Sequence, residues 1–476
     1  MVTKYTIANG VEVIRKPITY VDGDLVYGER IGLYQANTGD ILIPDEQEWS
    51  IIDGLNNNSK NENVEYINDL IANNILLKDN EQLKVEAIFI PKHITVYVSL
   101  TEACNFACPG CATSSDLIKP SEAKNLDIKT LSRYLSKIVS SAHQKGIKNV
   151  TIKWAGGEPL LHIPYQLIKE AQNLITSLQK EFTPMTIKQV LITNGVYIND
   201  EKLDFFSKID NIFFSISLWG TKKYQDVSRR PRNNLETFEF IAQNIVKTYL
   251  KGIPFNVNHV LTPGNARGFK DFIELLWDVE SKNFIGYGKN IQTPISLATS
   301  FFRAQTKVQA QVMQRVGYKK MEQGMKEAFA YIIELIDRGI KMQALAKFDY
   351  LDLFTVIPTT CGSGFNYIAV GPRGIASCHE GMYNLKENNE RLLDSDNIID
   401  AVNHAFYPDN KKLYGPNIKF KHAGHLALHG AQGCPRLAKK ENGELGYASS
   451  TSMLYEAIYK DMLSLETYRQ LKFGSI

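Results

Sequence analysis

The stretch Ser99-Leu-Thr-Glu-Ala-Cys104-Asn-Phe-Ala-Cys108-Pro-Gly-Cys111 brings three cysteines within eight residues. It follows residues 94–100, an apolar run that is typical of a buried β-strand. The thiols are therefore predicted to lie on a loop at the carboxyl end of a strand, where βα-barrel enzymes carry their active sites. Thiolates at such short spacings bind iron–sulfur clusters or zinc. An iron–sulfur cluster, a structural zinc knuckle and unliganded core thiols are the three interpretations of this stretch alone.

Strand-like runs alternate with amphipathic helical segments from this stretch to about residue 300. Between the first two runs, Ile128, Leu131, Leu135 and Ile138 recur on one helical face, and Asp127 is placed to cap the helix. Such alternation indicates parallel βαβ units. About six units favour an α/β fold with a partial (β/α)6 TIM-like barrel over a complete eightfold barrel. The predicted strands are 94–100, 150–154, 189–192, 212–217, 255–261 and 293–297.

Four domains are predicted along the chain. Residues 1–90 contain short strand-like runs followed by helical segments, which predicts a small α+β domain. Residues 91–300 hold the partial barrel, and the amphipathic residues 301–350 are predicted to form a helical bridge. Residues 351–476 have an irregular pattern rich in Cys, Gly, Pro and His, which is typical of a domain held together by a metal centre.

The composition is that of an ordinary globular protein, with 44% hydrophobic and 22% charged residues. A formal net charge of +3 in 476 residues, without a Lys/Arg stripe, argues against a nucleic-acid surface. The chain has no signal-peptide-like start and no apolar run of about 18 residues, so we expect a cytoplasmic protein that does not bind membranes. Six cysteines in such a chain predict metal ligands rather than a disulfide framework.

Further motifs end each of the next three predicted strands. The second strand runs into Trp154-Ala-Gly-Gly-Glu-Pro-Leu160, in which two glycines allow the backbone to approach a ligand closely. Carbonyl groups exposed there are suited to accept hydrogen bonds from an ammonium group. The third and fourth strands end in Leu191-Ile-Thr-Asn-Gly195 and Phe214-Ser-Ile-Ser-Leu-Trp-Gly220, and Gln225-Asp-Val-Ser-Arg229 follows.

In this order, the C-x3-C-x2-C spacing and the strand-end motifs resemble the radical S-adenosylmethionine (SAM) superfamily. The resemblance implies that Cys104, Cys108 and Cys111 bind a 4Fe–4S cluster, which cleaves SAM reductively to a 5′-deoxyadenosyl radical. It also implies a set of SAM-binding residues that hold its amino group, ribose and carboxylate: Gly156, Gly157, Glu158, Asn194, Ser217 and Arg229. The chain departs from the family at Gly110, where an aromatic residue usually packs beside the adenine. Phe106 and Phe214 are candidates to replace it.

Residues 361–378 are predicted to form a hairpin with a Gly-rich turn between Cys361 and Cys378. This segment, together with a later one around Cys434, resembles the SPASM or twitch extension, which carries auxiliary iron–sulfur clusters. The resemblance implies that the three cysteines serve one auxiliary 4Fe–4S cluster, because a second one would need more cysteines. Three unrelated buried thiols are the alternative. The fourth ligand of the cluster is left open, with a substrate thiolate or one of four histidines as candidates: His379, His422, His425 and His429.

The order of strands and helices in residues 1–90 is similar to the winged-helix domains that bind leader peptides in peptide-modifying radical SAM enzymes. A structural appendage and a dimerisation module are the alternatives. Together, the three regions resemble maturases of ribosomally made peptides. The resemblance implies crosslink, thioether or epimer formation on a precursor peptide, with flavodoxin or ferredoxin as electron donor. A radical SAM dehydrogenase or mutase acting on a small molecule, and a non-catalytic iron–sulfur scaffold or SAM sensor, are the competing hypotheses.

Overall fold

The computed structural model describes residues 5–21, 24–56, 63–78, 92–109, 111–113, 115–280, 290–302, 312–341, 347–348, 351–352, 362–379, 385, 389–408 and 452–474. The chain divides into two compact units, each built from separate stretches of sequence. The first comprises Met1–Phe89, Ala310–Thr360 and Leu413–Ile476, and the second comprises Ile90–Gln309 and Cys361–Lys412.

The strands and helices of the described residues are, in chain order, β1 (Tyr5–Ile7), β2 (Val11–Val21), β3 (Asp24–Gln35), β4 (Ile41–Leu42), α1 (Glu46–Asn56), α2 (Val64–Ala72), β5 (Leu76–Lys78), β6 (His93–Thr101), α3 (Ile128–Gln144), β7 (Asn149–Gly156), α4 (His162–Glu181), β8 (Thr186–Thr193), α5 (Asp200–Phe206), β9 (Ile212–Ser217), α6 (Lys222–Ser228), α7 (Phe238–Leu250), β10 (Phe255–Leu261), α8 (Phe269–Trp277), β11 (Leu297–Phe301), α9 (Tyr318–Asp337), β12 (Lys347–Phe348), β13 (Leu351–Asp352), β14 (Tyr367–Gly371), β15 (Gly374–Ala376), α10 (Ile398–Phe406) and α11 (Ser452–Phe473).

The second unit is built on an eight-stranded sheet in the order β11-β10-β9-β8-β7-β6-β14-β15. Strands β6 to β11 are parallel and follow each other in sequence, as consecutive βαβ units require. The α/β fold with a mostly parallel sheet that the sequence predicted is therefore confirmed. Helix α3 begins where the sequence indicated, because the Asp127 carboxylate accepts from the Thr130 N–H at 2.9 Å.

Five of the six predicted barrel strands lie where they were expected, and 212–217 and 255–261 match β9 and β10. The sixth prediction, 293–297, is wrong, because the strand β11 begins only at Leu297. The apolar residue Ile295 of the predicted strand is buried in the preceding loop. Its N–H donates to the carbonyl of Leu276 at the end of α8, and hydrogen bonding to β10 begins only at Ser296, whose carbonyl accepts from the Val257 N–H at 2.7 Å.

The hairpin predicted between Cys361 and Cys378 is present as β14 and β15, which pair antiparallel through Gly371 and Gly374. Strand β14 runs parallel to β6, with Val370 opposite Val98. The hairpin therefore extends the barrel sheet at the strand that leads into the cysteine loop. Helix α10, which follows the hairpin in sequence, packs against α3.

The first unit holds a three-stranded antiparallel sheet in the order β2-β3-β4, followed by α1 and α2, as the strand-then-helix pattern predicted. The β2–β3 hairpin packs against α9 and α11, helices that come from much later in the chain. Residues 452–473 were predicted to be irregular, and that prediction is wrong, because they form the 22-residue helix α11. This helix is buried along most of its length and contains a buried ion pair, Glu466–Arg469, at 2.7 Å.

The two units cut across the four predicted domains. The first unit joins residues 1–89 to most of the predicted bridge and to the last part of the predicted cluster domain, and the second joins the barrel to residues 361–412. The functions assigned to the four segments stay predictions. Among the described helices, none combines the length and the apolar character needed to cross a membrane.

Candidate active site

The loop that carries Cys104 is held by the glycine motif at the end of the neighbouring strand. The Gly157 N–H donates to the Thr101 carbonyl at 2.7 Å, and the Glu158 N–H donates to the Ala103 carbonyl at 2.9 Å. A Cβ atom on Gly157 would lie 1.9 Å from the Ala103 oxygen, and one on Gly156 would lie 2.5 Å from the Thr101 oxygen. Gly156 also has φ +117°, which side chains with a Cβ rarely adopt. These glycines therefore allow the end of β7 to lie close against the cysteine loop.

The three thiols of this loop are partly exposed and lie near one another. Burial, with a smaller contribution from the nearby Glu158 carboxylate, raises the pKa of Cys104 to about 12. Burial also raises the pKa of Cys108, against the opposing effect of the Arg229 guanidinium. A metal centre binds thiolates, so it would displace protons from these groups on binding. Partly exposed, clustered thiols on a short loop fit an iron–sulfur centre.

Within the described part of the chain, no three His, Cys, Asp or Glu side chains converge on the position of one metal ion. A four-iron cluster distributes its thiolates over different irons, so its ligands do not need to converge on a single point.

Glu158 connects the ends of β7 and β8 through its side chain. One carboxylate oxygen accepts from the Thr193 hydroxyl at 2.6 Å and the Leu160 N–H at 3.0 Å, and the other accepts from the Asn194 N–H at 2.8 Å. The side chain is 1% exposed, and burial raises its pKa despite these hydrogen bonds. The Glu158 carboxylate thus holds the third strand end in place beside the cysteine loop.

Asn194 lies at the junction of these motifs. Its side-chain amide donates to the Asn105 side-chain oxygen at 2.7 Å and lies 4.0 Å from the Cys104 sulfur. The third strand-end motif and the cysteine loop are therefore in direct contact, although β7 lies between the strands that lead into them.

Arg229 and Ser217 are brought together by a hydrogen bond from the Arg229 guanidinium to the Ser217 carbonyl at 2.5 Å. The guanidinium lies over the rings of Phe106 and Trp219, at 5.2 and 5.4 Å from their centroids. Its Nε has no hydrogen-bond partner among the described residues, although the side chain is buried. The buried Nε2 of Gln225 is unpaired in the same way. Unpaired buried donors cost free energy, so this pair of N–H groups fits a polar ligand such as SAM.

Phe214 does not lie at the site. Its ring packs edge-on against Phe206 of α5, with 5.2 Å between the centroids, in the core between sheet and helices. The alternation of side chains along β9 explains this, since Phe214 shares a face with the buried Ile212 and Ile216. The proposal that Phe214 replaces the missing aromatic residue is wrong, and Phe106, buried beneath Arg229, remains the candidate.

Arg232 is a site residue that the motif comparison missed. Its Nε donates to the Cys104 carbonyl at 3.0 Å, and its Nη2 donates to the carbonyls of Ser115 and Ile118 at 2.6 and 2.9 Å. One guanidinium thus joins the two ends of the cysteine loop. The basic run Arg229-Arg-Pro-Arg232 was a signal for it, but only the first arginine had been assigned a role.

Of the candidate ligands of the auxiliary cluster, Cys378 and His379 lie among the described residues. Cys378 is buried in a cluster with Tyr97 and Tyr367, and the Tyr367 hydroxyl lies 3.2 Å from the His379 Nδ1. The remaining candidates lie outside the described residues: Cys361, Cys434, His422, His425 and His429. Gly110 lies outside them too.

Comparison with known proteins agrees with this geometry. The family model of the radical SAM superfamily matches residues 98–276. A serine-type anaerobic sulfatase-maturating enzyme of Klebsiella aerogenes is 27% identical over 170 residues, which are 35% of this chain and 39% of the relative. The sporulation killing factor maturation protein SkfB of Bacillus subtilis (strain 168) is 26% identical over 181 residues, 38% of this chain and 39% of the relative.

The match to these curated relatives therefore spans about two-fifths of their length. Among solved structures, the one described as native anSMEcpe with bound AdoMet superimposes with a TM-score of 0.55 at 16% identity. It covers 79% of this chain and 100% of its own, which shows that the two share a fold. Residues 98–276 are thus a radical SAM domain, and radical SAM domains use a 4Fe–4S cluster and SAM.

Proposed function

We propose that this chain is a radical SAM maturase that modifies a ribosomally made precursor peptide. The observation that carries the proposal is the pair of backbone hydrogen bonds from Gly157 and Glu158 to the Cys104 loop, because it joins the cluster motif to the SAM motif. The relatives named above mature a sulfatase and a sporulation killing factor, which supports a peptide or protein substrate. A thioether, a carbon–carbon crosslink and an epimerised residue are the product classes.

When bound, the cluster and SAM supply a 5′-deoxyadenosyl radical, which takes a hydrogen atom from an unactivated carbon of the substrate. The chain's own residues have supporting roles. Cys104, Cys108 and Cys111 provide the thiolate ligands, and Gly156, Gly157 and Glu158 hold their loop. The remaining predicted SAM-binding residues surround the same loop end and orient SAM: Asn194, Ser217 and Arg229.

The first unit offers a surface for the precursor. Val13 and Ile18 on β2 are 51% and 53% exposed, and Val21 is exposed on the same strand. Within the described residues, β2 pairs only with β3, so its outer edge carries no neighbouring strand. An edge strand with exposed apolar side chains can bind an extended peptide as an added strand. We assign this edge to the leader of the precursor.

Cys361, Cys378 and Cys434 are proposed to hold one auxiliary 4Fe–4S cluster, which would accept an electron from the substrate radical. Flavodoxin or ferredoxin is the proposed donor to the SAM cluster. The fourth auxiliary ligand remains a substrate thiolate or a histidine. Of these histidines, His379 lies with its Nδ1 3.2 Å from the Tyr367 hydroxyl.

Detection of 5′-deoxyadenosine tests the proposal at its centre. The anaerobically reconstituted chain, given dithionite and SAM, should release 5′-deoxyadenosine, and the triple replacement of Cys104, Cys108 and Cys111 by Ala should abolish this. Unchanged release from the triple variant would refute the cluster assignment. Deuterium transfer from a labelled short peptide encoded beside the gene into 5′-deoxyadenosine would support a peptide substrate, whereas transfer only from small metabolites would favour a dehydrogenase or mutase.

A further inference from the structure

The β14–β15 hairpin ends beside the cysteine loop because of its register. Strand β14 runs parallel to β6 with Val370 opposite Val98, so both strands reach the same edge of the sheet. Gly371 then pairs with Gly374 across a turn formed by Pro372 and Arg373. The turn therefore lies beside the carboxyl end of β6, where the chain enters the loop that carries Cys104.

Arg373 makes an ion pair there with a buried carboxylate. Its Nε donates to one oxygen of Glu102, a side chain with no exposed surface. The other Glu102 oxygen accepts from the Lys124 N–H at 3.1 Å, and the Glu102 N–H donates to the Lys124 carbonyl at 3.0 Å. Glu102 thus connects the hairpin turn, the cysteine loop and the segment that precedes α3.

We propose that Arg373 is a positioning residue for the SAM cluster, acting through Glu102 on the backbone that leads to Cys104. The hairpin that separates Cys361 from Cys378 would then support the first cluster as well as carrying cysteines of its own. This inference rests on the proposed function of the Cys104 loop, but the ion pair itself is independent of any bound cofactor.

Burial and close packing determine how strongly Arg373 restrains the cysteine loop through Glu102. A buried carboxylate that loses its cationic partner keeps its desolvation cost, so it tends to turn toward water. Because the Glu102 side chain has no exposed surface, it can reach water only if the adjoining backbone moves, and the Thr101 and Ala103 carbonyls of that backbone accept from Gly157 and Glu158. The glycine motif leaves no free space at these carbonyls. Loss of Arg373 should therefore disturb the backbone next to Cys104.

The test compares Arg373→Gln and Glu102→Gln with Arg373→Lys, which keeps the positive charge. Lys145→Gln is the matched control, because it breaks the 2.7 Å ion pair between Lys145 on the barrel side and Asp400 on α10, away from the cysteine loop. Hydrogen exchange is measured on the metal-free full chain at the amides of Glu102, Gly157 and Glu158. After anaerobic reconstitution, the KM for SAM, the kcat for 5′-deoxyadenosine and the EPR spectrum of the reduced cluster are measured.

We expect exchange at the three amides to rise about tenfold in Arg373→Gln and Glu102→Gln, and to stay near wild type in Arg373→Lys and Lys145→Gln. The rate of 5′-deoxyadenosine formation should fall about tenfold in the two Gln variants, as for other groups that orient metal ligands, with an altered EPR spectrum. Wild-type exchange in Arg373→Gln would overturn the inference, and so would an equal rise throughout α3. If the amides exchanged as fast in Arg373→Lys as in Arg373→Gln, loss of the positive charge would be excluded as the cause of the faster exchange.

In this design, a failure of the radical SAM proposal can be told apart from a failure of the positioning role of Arg373. If the wild-type chain releases no 5′-deoxyadenosine, the radical SAM activity is refuted, while the exchange data on the metal-free chain still decide whether Arg373 restrains the loop. If the wild-type chain is active and Arg373→Gln matches it in every measurement, only the positioning role is refuted.

Discussion

At the scale of single residues, this site depends on two glycines that leave room for a neighbouring backbone. Gly156 and Gly157 are the residues whose Cβ atoms would collide with the carbonyls of Thr101 and Ala103. Their first effect is therefore to bring the cysteine loop and the second strand end together. The proposed binding of SAM by the same motif would follow from that approach, because SAM would then have to contact both segments at once.

Replacing Gly157 with Ala tests this steric argument. The added methyl group would lie 1.9 Å from a backbone oxygen, so the loop must move and overpacking should cost about 1–3 kcal/mol of stability. We expect iron content and 5′-deoxyadenosine release to fall together. Gly264→Ala is the control, since its nearest new contact is an ordinary 3.5 Å. Full iron content and activity in Gly157→Ala would contradict the argument.

His259 is a residue whose role is structural. It lies on β10 with its ring stacked on Phe269 of α8 at 5.1 Å, and its buried Nδ1 has no hydrogen-bond partner in the part of the chain that the structure describes. Burial lowers its pKa to about 3, from an ordinary value of 6.5. Between these two pH values the unfolded chain binds more protons than the folded one, so stability falls as the pH falls below 6.5.

A measurement of stability against pH checks this sign. As the pH falls from 6.5 to 5, the stability lost through His259 should approach about 1.4 kcal/mol per pH unit, and His259→Phe should lack that contribution. The difference between the denaturant midpoints at pH 7 and pH 5 is the quantity to compare. Replacement of His143, an exposed histidine on α3, serves as the control. An unchanged pH dependence in His259→Phe would show that this ring is not the titrating group.

At the scale of elements, the predictable parts are those with a regular pattern. Strands β9 and β10 alternate in burial, and their sequence pattern located both of them. Helix α11 was missed for a physical reason. It is buried on most sides, with residues as different as Leu454, Asp461 and Arg469 all inside, so it shows no apolar stripe with an opposite polar face.

Contacts between distant segments could not be predicted from spacing. Arg373 and Glu102 are 271 positions apart, and nothing in either local sequence indicates the other. Arg232 was missed because its partners are backbone carbonyls, which any sequence provides. The cysteine and glycine motifs were found because short spacings bring their chemistry together within one loop.

At the scale of the whole molecule, the first unit changes how peptide recognition should be tested. Deleting residues 1–90 would remove the sheet against which α9 and α11 pack, and would expose side chains of α11 that are now buried. Loss of activity after such a deletion would therefore report unfolding as readily as lost recognition. Point replacements on the exposed face of β2 avoid this problem, because that face has few contacts to lose.

We expect the double replacement Val13→Lys and Ile18→Lys to raise the KM for the precursor about tenfold, because lysines there oppose an added apolar strand. Release of 5′-deoxyadenosine from SAM alone should stay at the wild-type rate. Leu250→Lys at the exposed end of α7 is the control. A parallel fall in both activities, or no effect on the precursor, would argue against β2 as the docking edge.

The number of clusters is the last property of the whole chain that can be tested. Three cysteines lie in the barrel motif and three in the later segments, enough for one SAM cluster and one auxiliary cluster with an open fourth position. Iron analysis of the reconstituted chain should therefore give about eight irons. Cys378→Ala should lower this to about four while SAM cleavage without substrate continues, because the SAM cluster is left intact. About four irons in the wild-type chain would remove the auxiliary cluster, and about twelve would require ligands other than the six cysteines.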